Sequence, residues 1–507
     1  MNRYSLPTLS CLYSTLALLC LLQSPARADV RLHGLFTDNM VLQRNASVPV
    51  WGWADEGEEI VVSFRGHTAK TRAKDGKWMV RLPKLSPGNS SSLVVQGRNR
   101  IELKDVLVGE VWIASGQSNM EWPMTASLNP ETEIPKTANP LVRLYTVPKL
   151  KAMTPTNNVP ASWQLCNPST TARFSAVGYY FGRDLAQALG VPVGIIHTSW
   201  GGSPAEVWMS SANLNSNPDY KKDIVEAQGK SYSAYLERLA AFRAEKDAAA
   251  KAGQEFKKQA PDAPWRPTEL YNGMIAPLLP FAIQGAIWYQ GESNAGRAEQ
   301  YRTLFPDMIR NWRKDWGQGD FPFLLVQLAP FMAIKPEPSD SSWAELREAQ
   351  WMSTKTLPRV GMAVITDAGD PKDIHPKAKE PAGTRLAIAA RKLAYGHAIT
   401  HSGPEYKSMR ITGNRVTLKF DHAKSGLVAR GGDLEGFAIA GADRRFVWAR
   451  AHIQGDSVVV HSPLVETPVA VRYGWADCPV VNLWNAEGLP ATPFRTDDFP
   501  MVTAGKR

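Results

Sequence analysis

A chain of 507 residues with 44% apolar and 21% charged content has the make-up of a globular protein, not a disordered one. It is too long for one ordinary core, so two or three domains are expected. Its formal net charge of +10 comes from Lys and Arg scattered along the chain. No basic block interleaved with aromatics occurs, and nucleic acid is therefore not the expected partner.

The first 28 residues read as a secretory signal peptide. Arg3 supplies a positive start, Leu16 to Leu22 an apolar run, and Ala26-Arg27-Ala28 a small-residue cleavage site. The run is too short to span a bilayer, and Leu19 before Cys20 is a poor fit to a lipoprotein signal. The mature protein is thus expected to begin near Asp29, in the periplasm or the medium, without a membrane anchor. Removing the signal takes two of the four cysteines with it. Cys166 and Cys478 remain as one pair available for a disulfide.

Residues 29–105 show short β-prone runs broken by turns such as Asp75-Gly76 and Pro87-Gly88, the pattern of a β-sandwich segment. From residue 106 the rhythm changes to strand and helix in alternation. Val111 to Ala114 is an apolar run that stops at Ser115-Gly116-Gln117-Ser118-Asn119. Val177, Phe181, Leu185 and Leu189 mark a helix that Gly190 is placed to end. Val191 to His197 is a buried strand running into Ser199-Trp-Gly-Gly-Ser203. Residues about 213–266 form a polar helical insertion carrying Tyr235, Leu236, Leu239 and Phe242. Ile283 to Tyr289 is a strand ending in Gln290-Gly-Glu-Ser-Asn294, and further strands are expected at Phe323 to Leu328 and Val360 to Ile365. A polar loop then carries Asp373-Ile-His375. Such alternation implies an α/β domain with a parallel sheet covered on both faces, over residues 106–400. Residues 401–507 return to β structure, with Gln454-Gly-Asp-Ser457 as a hairpin turn. The β-rich ends are expected to pack on each other as one accessory sandwich.

Ser118, Gly201-Gly202, the turn from Gln290 to Asn294, and His375 all fall at or just after strand ends, where open α/β sheets place their chemistry. Acyl transfer needs a nucleophile, a base, a carboxylate to orient the base, and donors for the oxyanion. Each is on offer here. A Ser after a strand also serves as a helix cap, and a Gly pair as a tight turn. The order Ser…Asp…His is not that of a Gly-x-Ser-x-Gly elbow, because Met120 stands where the second Gly would be.

Taken together, Gly116-Gln-Ser-Asn-Met-Glu-Trp122, His197-Thr-Ser-Trp-Gly-Gly-Ser-Pro-Ala-Glu206, Trp288-Tyr-Gln-Gly-Glu-Ser-Asn294 and Asp373-Ile-His-Pro376 resemble the sialate O-acetylesterase branch of the SGNH (GDSL-like) carbohydrate esterases. Phe36-Thr-Asp-Asn-Met-Val-Leu-Gln43 and Gly488-Leu-Pro-Ala-Thr-Pro-Phe-Arg495 extend the likeness over nearly the whole mature chain. It implies a three-layer αβα SGNH domain flanked by β-sandwich segments, and an esterase acting on an acetylated carbohydrate. Ser118 would be the nucleophile and His375 the base. Oxyanion donors would be the amide of Ser118, the amide of Gly201 or Gly202, and a side-chain amide of Gln290 or Asn294. Lys372 stands where many such enzymes have the acid, so Asp373 is the expected orienting carboxylate, with Asp370 and Asp367 as fallbacks and a Ser–His pair helped by Glu292 as another arrangement. Glu206, Glu292 and Arg347 are expected to be structural supports. The sequence holds no His-Glu-x-x-His, paired-Cys or calcium-loop motif, and no cofactor or metal is implied. The competing readings are a non-catalytic carbohydrate-binding protein on the same fold and a lipid or aryl esterase.

Overall fold

The computed structural model describes residues 29–507; the expected signal peptide lies outside them. The central sheet has the order Gln164–Cys166, Asn139–Thr146, Val193–Ser199, Arg100–Gly116, Gly285–Tyr289, Phe323–Val326, Val360–Ala363. All neighbours are parallel except the first pair. The all-parallel expectation is therefore corrected at one edge, where the three-residue Gln164–Cys166 strand runs antiparallel. Helices Ala176–Leu189 and Glu380–Leu393 pack with one face, and Ala298–Trp316 and Ser342–Thr356 with the other. The pleat explains this layering. Trp112 and Ala114 face the first helix pair and Val111 and Ile113 the second, because successive side chains leave opposite faces of a strand.

The Arg100–Gly116 strand is the spine of the molecule. Its first half pairs with Ser91–Gln96 in the N-terminal β segment. Its second half lies at the middle of the α/β sheet and ends at Gly116, two residues before Ser118. One strand thus runs through the expected 105/106 boundary. The N-terminal strands share a continuous apolar core with the α/β layers, whereas the C-terminal strands enclose a core of their own around Val416, Leu418, Val458, Val460 and Val471. The two β-rich ends therefore do not form one shared sandwich. The hairpin at Gln454–Ser457 is present. Within the insertion, helix Ala227–Lys251 has no buried side chain.

Cys166 and Cys478 are both buried and unbonded. The Cys166 thiol donates instead to the carbonyl of Thr137. The disulfide that the sequence made available is not formed. Among the described residues no helix is long and apolar enough to cross a membrane.

Candidate active site

The strand Arg100–Gly116 stops because Gly116 has φ of +138°, a region that side chains with a Cβ rarely enter. A Cβ there would lie 2.2 Å from the carbonyl oxygen of Tyr289 on the next strand. The chain then turns into the one-turn helix Ser118–Glu121, which sets Ser118 at the carboxyl edge of the sheet. Gly201 arrives from the adjacent strand Val193–Ser199. A Cβ on it would lie 3.2 Å from Ser118 Cβ, so a larger residue here would have to push the serine aside by a few tenths of an ångström.

His375 comes from the loop after Val360–Ala363, and its Nε2 lies 2.8 Å from Ser118 Oγ. That is a full hydrogen bond across 257 residues of sequence. The two line a cavity of about 400 Å³ together with Glu121, Trp122, Lys149, Trp200 and Gly201. The indole of Trp122 covers one face of the imidazole, with centroids 4.7 Å apart and planes 14° from parallel.

Asp373 Oδ1 accepts the backbone N–H of His375 at 2.9 Å and stands 3.5 Å from His375 Nδ1. The second distance is an ion-pair contact, too long for a close hydrogen bond. The fallback acids are spent elsewhere: Asp367 is held by both terminal nitrogens of Arg385 at 2.6 and 2.8 Å, and Asp370 accepts the amide of Lys372 at 2.8 Å. Burial and the nearby Lys379 cation hold the His375 pKa below its usual value, while Asp373 opposes them.

Behind this pair lies a buried polar knot. Asn119 Nδ2 donates to Glu292 Oε1 at 2.6 Å and to the carbonyl of Ile374 at 3.0 Å, which ties the base's loop to the residue after Ser118. Lys379 donates to Asn119 Oδ1 and places its ammonium 5.4 Å from the Trp122 ring centre. Burial pushes the Lys379 ammonium down to about 7, against the pull of Glu292 and Asp373. Burial also raises the Glu292 carboxyl pKa.

The side-chain amides expected as oxyanion donors are turned away. Gln290 Nε2 donates to Asn294 Oδ1 at 2.7 Å and to the Ser203 carbonyl at 3.3 Å. Asn294 Nδ2 donates to Glu206 Oε2 at 3.0 Å. Neither residue lines the cavity. They fasten the Gln290–Asn294 turn to the loop after Ser203, because a buried turn must satisfy its own polar groups. Of the glycine pair, Gly201 faces Ser118, whereas a Cβ on Gly202 would meet open space. Glu206 pairs with Arg297 at 2.6 Å, and Arg347 binds four carbonyls. A second histidine at a strand end, His197, is buried and held near a pKa of 4 by desolvation.

Several residues at the site carried no sequence-based role. Glu121 and Trp122 share the serine's own motif, and helical spacing from Ser118 was the available signal for Glu121. Asn119 directly follows Ser118, and Trp200 directly precedes Gly201 in its own motif. Lys149 and Lys379 gave no signal, since their position at the site depends on loop packing.

Comparison with known proteins relates the chain to carbohydrate esterases. The family model described as "Carbohydrate esterase, sialic acid-specific acetylesterase" matches residues 248–392. Curated relatives include the sialate O-acetylesterases of Homo sapiens, 28% identical over 92% of either chain, and of Mus musculus, 28% identical over 90% of this chain and 93% of the other. The crystal structure of a carbohydrate acetylesterase from Xanthomonas citri is 41% identical, with a TM-score of 0.80, over 93% of this chain and all of that one. With this likeness along nearly its whole length, the chain belongs to the carbohydrate acetylesterases of the sialate O-acetylesterase family.

Proposed function

We propose that the protein is a serine esterase that removes O-acetyl groups from a carbohydrate through an acetyl-Ser118 intermediate. The observation that carries this is the 2.8 Å contact between Ser118 Oγ and His375 Nε2 at the edge of the sheet. His375 Nε2 takes the hydroxyl proton as Oγ attacks the acetyl carbonyl carbon. The amides of Ser118 and Gly201 receive the oxyanion. On collapse the C–O bond to the sugar breaks, and His375 returns its proton to the sugar oxygen. Water, deprotonated by the same nitrogen, then attacks the acetyl-enzyme. Acetate leaves, and Ser118 regains its proton. Asp373 steadies the imidazolium through its contact at Nδ1.

The cavity supports a short acyl group and a polar alcohol. Glu121, Lys149 and the half-buried Trp200 stand beside Ser118, a lining suited to a sugar and unsuited to a long apolar acyl chain. The natural sugar is an acetylated sialic acid or an acetylated plant polysaccharide such as xylan or xyloglucan. The reading of residues 1–28 as an export signal puts the enzyme in the periplasm or the medium, where such sugars are met.

The test is acetate release from 4-nitrophenyl acetate and from a panel of acetylated oligosaccharides, in wild type and Ser118→Ala. The variant is expected to fold and to lose at least about 10³ of the rate. Equal turnover by the two proteins would refute the mechanism, and preference for octanoyl over acetyl esters would refute the substrate class.

A further inference from the structure

The backbone amide of Gly201, an oxyanion donor in the reading above, is occupied. It donates to Glu121 Oε2 at 2.8 Å. The other oxygen, Glu121 Oε1, accepts from Lys149 Nζ at 2.6 Å. Glu121 lies one helical turn from Ser118, so the nucleophile and this carboxylate are carried by the same short element. The carboxylate is only loosely fixed, with 33% of its side chain exposed and 42% of that of Lys149.

A carboxylate held at this amide is incompatible with an oxyanion at the same amide. Two negative charges about 4 Å apart near a protein surface repel strongly enough to slow the chemical step by about 10³. Glu121 has two partners, one on each oxygen. It can release the inner one, Gly201, and keep the outer one, Lys149, whose ammonium also rests 5.3 Å from the Trp200 ring centre.

We propose that Glu121 is a displaceable latch on the oxyanion site. In the empty enzyme its carboxylate saturates the Gly201 amide and repels small anions, including the product acetate. The uncharged acetyl carbonyl oxygen of the substrate displaces it toward Lys149. Glu121 thereby determines what occupies the Gly201 amide, admitting an uncharged acetyl carbonyl and excluding the acetate anion. This rests on the assignment of Ser118 as nucleophile and Gly201 as donor.

The experiment compares wild type, Glu121→Gln and Glu121→Ala in two measurements. The first is acetate binding by calorimetry in a Ser118→Ala background, where no chemistry intervenes. The second is kcat/KM for 4-nitrophenyl acetate, with acetate as inhibitor, in the Ser118 background. Acetate affinity is expected to rise tenfold or more in both Glu121 variants, and kcat/KM to rise. Unchanged acetate affinity, or a tenfold fall in kcat/KM, in variants whose melting temperature is retained would overturn the latch and leave Glu121 as a fastener of the Gly201 loop. A failure of the Ser118 assignment would show separately, as turnover by Ser118→Ala alone.

Discussion

The indole of Trp122 lies flat on the imidazole of His375, 4.7 Å between centroids and 14° from parallel. Trp122 caps the one-turn helix Ser118–Glu121, so the segment that presents Ser118 also carries the plate against which His375 rests. Lys379 lies near the same indole, 5.4 Å from its ring centre. The His375 imidazole and the Lys379 ammonium thus meet at one indole.

Removing that plate is expected to cost orientation more than binding. Aromatic stacking contributes about 0.5–1.5 kcal/mol, so Trp122→Ala should lower kcat for 4-nitrophenyl acetate about three- to tenfold with KM little changed. Trp122→Phe should recover most of the loss. Steady-state kinetics beside a thermal melt checks both.

The pH profile follows from the forces on His375. The neutral imidazole is the active form, so kcat/KM rises with pH through the histidine's pKa. Burial and Lys379 lower that pKa below the ordinary 6.5, which extends activity toward acid. Lys379→Met removes a cation that opposes the imidazolium, and the acid limb is expected to move to higher pH. Asp373→Asn removes the one opposing influence, and the limb is expected to move lower. Profiles of kcat/KM against pH for the three proteins decide this; a limb that stays in place in Lys379→Met would exclude the electrostatic role.

Asp373 is a half-exposed acid 3.5 Å from the ring nitrogen, not a buried partner of it. Asp373→Asn keeps an acceptor for the His375 amide and should cost about tenfold in kcat, well short of the roughly 10⁴ that loss of a buried triad aspartate costs. Asp370→Ala and Asp367→Ala should remain near wild type in turnover. If Asp370→Ala alone loses activity, the orienting acid is misassigned.

Arg347 is a structural prediction. Wholly buried, it donates to the carbonyls of Leu328, Ala329, Ala476 and Asp477 at 2.7 to 3.1 Å. It thereby joins the α/β layers to a loop of the C-terminal β segment. Arg347→Met strands several buried acceptors, each worth about 1–3 kcal/mol, so unfolding free energy should fall by about 3 kcal/mol or more. Turnover well below the melting transition should stay close to wild type. Denaturant unfolding followed by fluorescence measures the first, and the ester assay the second.

The sequence by itself determined the α/β rhythm, the strand-end location of Ser118 and His375, and the family. These follow from local pattern: apolar period in strands and helices, glycine where the backbone must turn, and motif order along the chain. The family resemblance offered Gly201 or Gly202 as a donor, and the structure selects Gly201 by setting it against Ser118. What only the tertiary structure decided is where each polar group spends its hydrogen bonds. Gln290 and Asn294 have the right chemistry for an oxyanion, yet they are consumed by their own turn. Asp367 is taken by Arg385, and Gly201 by Glu121. Lys379, Trp200 and Lys149 join the site through loops whose packing no period records. A donor's chemistry is written in the residue, but its partner is chosen by burial, which leaves each polar group to bond whatever the fold sets within about 3 Å of it.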